Sequence, residues 1–184
     1  MGKVFDGIDE RMREWLQAQR IFFVATAPLS GDGLVNLSPK GLESFAVLGP
    51  RRVAYLDLTG SGIETVAHLR ENGRITLLFC AFEGPPRLVR LYGRGKVLLP
   101  GTPEFEDVAA LLPHYAATRA VIAIDLERIA DSCGYAVPRY AYQGERSQLG
   151  EWAESKGEAG VRAYRAENNA RSLDGLPGLE EEDA

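Results

Sequence analysis

The chain has 184 residues and 20.1 kDa, 45% of them hydrophobic and 26% charged. That suits one domain, or one domain with a helical tail, and excludes wholesale disorder. Net charge is −5, but Glu180, Glu181, Glu182 and Asp183 leave the body near −1, without the basic excess of a general nucleic-acid binder.

No apolar run approaches the roughly 18–20 residues of a membrane helix. The N-terminal residues lack the apolar stretch of a secretory signal. A soluble, cytoplasmic protein that engages neither membrane nor nucleic acid is expected. Cys80 and Cys133 read as reduced thiols, and with only two His at no zinc spacing no metal site is expected.

Ile8, Met12, Trp15, Leu16 and Gln19 share one stripe, which predicts a helix over residues 8–19. The β-branched and aromatic run from Ile21 to Ala27 predicts a buried strand. Ser30-Gly31-Asp32-Gly33 supplies turn chemistry, and a return strand from Leu34 to Ser38 is expected to stop at Pro39. A third strand covers residues 52–58. Ser61 then reads as the N-cap of a short helix, with Glu64 completing a capping box and Asn72-Gly73 ending it. Strands over 74–82 and 87–99 follow, separated by Gly84-Pro85-Pro86. Thr102-Pro103 opens another helix. Residues 119–126 form the last strong strand.

After residue 132 an irregular stretch with Tyr135, Tyr140 and Tyr142 precedes a polar helix over about 147–168 and an acidic finish. These segments predict an α+β protein: an antiparallel β-barrel over residues 1–132 with short outer helices, and a helical C-terminal tail over 133–184 packed on it.

The matching phrases are Phe23-Val24-Ala25-Thr26-Ala27, Val35-Asn36-Leu37-Ser38-Pro39-Lys40-Gly41, Tyr55-Leu56-Asp57-Leu58-Thr59-Gly60-Ser61-Gly62, residues 69–79 and Arg90-Leu91-Tyr92-Gly93-Arg94-Gly95. In order and spacing, over about residues 8–130, they resemble the pyridoxamine 5′-phosphate oxidase-like family of flavin-binding split barrels. The resemblance implies a split antiparallel barrel, a homodimer with flavin clefts between subunits, and FMN as cofactor. It assigns Asn36, Ser38 and Asp57 to the edge of the flavin ring and Lys40 to its phosphate. Thr59, Gly60, Ser61, Gly62 and Thr65 fall on the phosphate loop, and Arg90 is a further cation. The chemistry agrees, since a phosphate wants backbone N–H groups at a helix start and a nearby cation.

The same residues have plainer readings: Lys40 as a solvated turn residue, the loop as an ordinary strand-to-helix turn, Asp57 and Arg90 as solvated strand residues, and His68 as a packed helix residue. Typical members place cations where Gly62-Ile63-Glu64-Thr65 stands here. The Arg/His segment that recognises pyridoxal phosphate has no counterpart in Ser132–Tyr140, which disfavours vitamin B6 oxidation. The expected function is therefore an FMN-dependent oxidoreductase using a small-molecule substrate or electron donor, with no assignable catalytic residue. The alternative is a non-catalytic holder of flavin, deazaflavin or haem on the same barrel.

Overall fold

The computed structural model describes residues 2–180; of the acidic terminus, Glu181, Glu182 and Asp183 lie outside the described residues. A two-residue strand, Val4–Phe5 (β1), precedes the helix Glu10–Gln17 (α1), whose N-cap Asp9 accepts the Met12 amide at 2.8 Å. The strands Phe22–Thr26 (β2), Asn36–Lys40 (β3), Phe45–Gly49 (β4) and Arg52–Leu58 (β5) lead to the helix Glu64–Asn72 (α2). Arg74–Cys80 (β6), Leu88–Leu98 (β7), the helix Pro103–Ala109 (α3), Thr118–Ser132 (β8) and the helix Gln148–Asn168 (α4) complete the order.

The strands form one antiparallel sheet in the order β3-β2-β6-β7-β8-β5-β4, with β1 pairing on β8. Although β2 and β4 lie near opposite ends of that order, the Phe22 ring comes within 5.6 Å of both the Phe45 and Tyr55 rings. The sheet is thus rolled on itself around a core that includes Val24, Tyr55, Leu77, Leu91, Ile122 and Ile129, all fully buried. It stays open between β3 and β4, which gives the split antiparallel barrel expected from the sequence. On the outer face of β5, β7 and β8, Leu56, Leu98 and Val121 pack against Phe105 and Val108 of α3.

Several local expectations are corrected. Pro39 does not stop its strand: it pairs with Phe23 inside β3, a sheet-end strand with one neighbour, where a missing N–H is tolerated. Ser61 does not cap α2. The N-cap is Ile63, without a side-chain bond, and Glu64 instead accepts the Leu173 amide at 3.2 Å. β1 and β4 were not anticipated, and β8 runs six residues past the expected end, through Glu127-Arg128 to Ser132. Thr102 caps α3 as expected, accepting from the Phe105 amide, and Gly73 ends α2 in the left-handed region at φ 71°. The tail helix carries a break at Gly157, where φ is 63°. No described helix is long and apolar enough to cross a membrane.

Candidate functional site

Strand alternation turns Asn36, Ser38 and Lys40 to one face of β3 and leaves Leu37 and Pro39 exposed on the other. The inner face meets α2 and β5 across the open seam. The Asn36 amide donates to Thr26 Oγ1 at 3.1 Å and Thr65 Oγ1 at 3.0 Å, and accepts from Ser38 Oγ at 2.9 Å. Thr26 Oγ1 lies 3.0 Å from Nδ1 of His68, which is fully buried. Burial holds the His68 imidazole below its ordinary pKa, against the opposing fields of Asp174, Glu64 and Glu71.

Further along the seam, Asp57 has no solvent exposure. Its two oxygens take Lys40 Nζ at 3.0 Å and Arg119 Nε at 2.7 Å. Burial alone would push this carboxyl up, but the Lys40 and Arg119 charges and hydrogen bonds outweigh it and hold Asp57 below the ordinary carboxylate range. Asp57 therefore holds two cations in place, one on each oxygen.

Arg119 links this pair to the loop after β5. Its Nη1 donates to Asn169 Oδ1 at 2.9 Å, and Asn169 Nδ2 donates to the Gly60 carbonyl at 3.0 Å. Thr59 is buried; its hydroxyl donates to the Ala117 carbonyl at 2.8 Å and accepts from Arg165 Nε at 2.9 Å. The Thr59 hydroxyl is thus spent within the protein, whereas Gly60, Ser61 and Gly62 are exposed. A Cβ built at Gly60 meets nothing within 4 Å, so the loop is open to an approaching ligand.

A cavity of about 590 Å³ lies against this seam. Lys40, Gly41, Leu42 and Ser44 line it from β3 toward β4, with Leu58, Thr59 and, from the C-terminal segment, Gly144, Glu145, Arg146, Gln148 and Leu149. Leu42 adopts φ 59°, unusual for a residue with a side chain, as the chain crosses from β3 toward β4. The volume lies within the range of small-molecule sites.

Asn36, Ser38, Lys40, Asp57, Thr59, Gly60, Ser61, Gly62 and Thr65 are thereby gathered on one seam and its adjoining loop. Arg90 is not among them. It sits on β7, opposite Leu78 and Ala130, and donates to Ser132 Oγ at 3.1 Å. Three contributors escaped the sequence reading: Arg119, Arg165 and Asn169. The one available signal was Arg119 itself, a charge entering an otherwise apolar strand; Asn169 carries no local signature at all. Among the described residues, no group of acidic, His or Cys side chains is arranged to hold a metal.

The sequence model described as pyridoxamine 5′-phosphate oxidase matches residues 8–133. The pyridoxamine 5′-phosphate oxidase family protein ustO of Aspergillus flavus is 40% identical over 194 residues, covering 95% of this chain and 77% of that protein. HupZ of Group A Streptococcus is 21% identical with a TM-score of 0.51, covering 73% of this chain and 99% of that one. A candidate pyridoxamine 5′-phosphate oxidase from Lactobacillus delbrueckii is 18% identical with a TM-score of 0.52, covering 69% of this chain and 98% of that one. At those identities the two solved structures establish the shared fold.

Proposed function

The chain belongs to the pyridoxamine 5′-phosphate oxidase family, and from that premise we propose that it is a homodimeric, FMN-binding oxidoreductase. It would pass electrons between a reduced nicotinamide or similar donor and a small acceptor. The observation that carries this reading is the cavity with Lys40 and Thr59 on its walls, Lys40 being the end of the polar inner face of β3.

The residues present fit a phosphate-bearing planar ligand. Lys40 spends one hydrogen bond on Asp57 and reaches the cavity wall, which leaves ammonium protons for an anion. The exposed Gly60–Gly62 loop supplies backbone N–H groups where α2 begins. Ser38 Oγ retains acceptor capacity, whereas both Asn36 amide protons are spent on Thr26 and Thr65. Asn36 and Thr65 therefore support the seam, and Ser38, Lys40 and residues 60–62 would meet the ligand. A bound flavin supplies the electron-accepting ring, and the chain binds it, orients it and excludes water from one face. The sequence of Ser132–Tyr140 disfavours vitamin B6 as substrate.

A second copy is supported by the sheet end. β3 has a free edge, and Leu34, Val35 and Leu37 on or beside it are 56%, 74% and 66% exposed. A free edge beside exposed apolar residues is the kind of surface proteins cover by association.

The alternative, a non-catalytic holder of flavin, deazaflavin or haem, is favoured by Glu64: a carboxylate at the first turn of α2 opposes a phosphate there. Anaerobic titration with FMN followed by a reduced nicotinamide separates the readings. Flavin that binds and bleaches supports the oxidoreductase. Flavin that binds and resists every donor supports the holder, and a protein that ignores FMN removes both flavin readings.

A further inference from the structure

We infer that the C-terminal segment is a working part of this ligand site, with Asn169 as the positioning residue that sets the Thr59–Gly62 loop. The inference rests on the flavin reading above and extends it to a part of the chain beyond the family match, which ends at residue 133.

Asn169 is fully buried, and each polar atom of its side chain has a specific partner. Oδ1 accepts from the Arg119 guanidinium at 2.9 Å, and Nδ2 donates to the Gly60 carbonyl at 3.0 Å. Arg119 Nη1 reaches the same carbonyl at 3.4 Å. The Gly60 oxygen is therefore drawn inward, toward the Asp57–Arg119 pair. No cis peptide bond occurs among the described residues. In a planar trans peptide the N–H of the next residue points opposite to the carbonyl. Fixing Gly60 inward thus aims the Ser61 N–H outward, on the exposed side of the loop.

The segment around Asn169 is anchored as a support would be. Its amide donates to the Arg165 carbonyl at 2.7 Å, and its own carbonyl accepts from Leu179 at 2.8 Å. Arg165 holds the Thr59 hydroxyl, and the Leu173 amide takes Glu64. Leu179 packs with Ile63 and Val66 behind the loop. These contacts converge on residues 59–66, the loop and the first turn of α2. A helix that merely needed storage on the barrel would bury apolar area. Burying an amide matched to a guanidinium and a loop carbonyl is costly unless the pairing is kept, and that specificity fixes the shape of the loop.

FMN and riboflavin share the ring and differ in the phosphate, so the loop's contribution reads out as their affinity ratio. Full-length Asn169→Ala and Asn169→Leu are titrated with both, following quenching of flavin fluorescence. The Leu variant keeps the volume and neutral charge of the amide and removes its hydrogen bonds to Arg119 and Gly60. FMN affinity is expected to fall roughly tenfold in both variants, with riboflavin affinity held within about twofold. Equal losses for the two ligands mark a merely structural role and overturn the inference, as does unchanged FMN affinity. Should the unaltered chain bind neither flavin, the functional reading fails, and inorganic phosphate then tests the loop by amide NMR. A Ser61 shift present in the unaltered chain and lost in both variants upholds the positioning role. No shift, or the same shift in all three proteins, overturns it.

Discussion

Asp57 joins the barrel's seam to its C-terminal tail, because one buried carboxylate holds both Lys40 and Arg119. Removing one member of such a group leaves an uncompensated buried charge, which costs about 3–5 kcal/mol. Asp57→Ala is accordingly expected to lower stability by that amount in denaturant unfolding. Lys40→Ala leaves Arg119 on the carboxylate; it should cost less stability and chiefly weaken FMN binding. The pH dependence follows from the depressed Asp57 pKa. Its stabilisation is complete above the ordinary carboxylate pKa and is lost as pH falls through the lower folded-state value. Asp57→Asn should therefore flatten the acid limb of a plot of unfolding free energy against pH; an unchanged limb would show that Asp57 does not carry it. Asn36, Ser38 and Lys40 were legible through the family resemblance alone, because the strand was expected to stop at Pro39, before Lys40. The Asp57–Arg119 bond spans 62 positions and the Asn169–Gly60 bond 109, and no local pattern encodes pairings so distant.

At the scale of elements, turn and cap chemistry was readable where it was unopposed. Thr102 and Pro103 open α3, and Gly73 closes α2, as their residue types dictate. At α2 the capping box failed because a tertiary contact took Glu64, which binds the Leu173 amide, and the loop is held through Gly60. This contrast is measurable. Thr102→Ala should cost about 1 kcal/mol in thermal unfolding, whereas Ser61→Ala should leave stability unchanged. A comparable loss from Ser61→Ala would restore it as the cap. β4 escaped notice because Phe45–Leu48 is continuously apolar and too short to show alternation; only its partner β5 makes it a strand. Pro39 was misread because the rule against proline in a sheet is a rule about central strands, and nothing local reveals that β3 lies at an end.

At the scale of the molecule, the antiparallel barrel followed from strand and turn order, but its opening between β3 and β4 is a property of the closed sheet alone. That opening places a polar seam, a cavity and an exposed loop together, while the tail braces the loop from behind. The same sheet end leaves Leu34, Val35 and Leu37 exposed, the surface we propose a second copy would cover. We propose that this seam holds a flavin. The most direct test is the visible absorption spectrum across the gel-filtration peak of the purified chain after incubation with FMN. Flavin bands are expected to travel with the protein at the mass of a dimer. A colourless protein peak, with all FMN eluting as free ligand, would contradict the proposal.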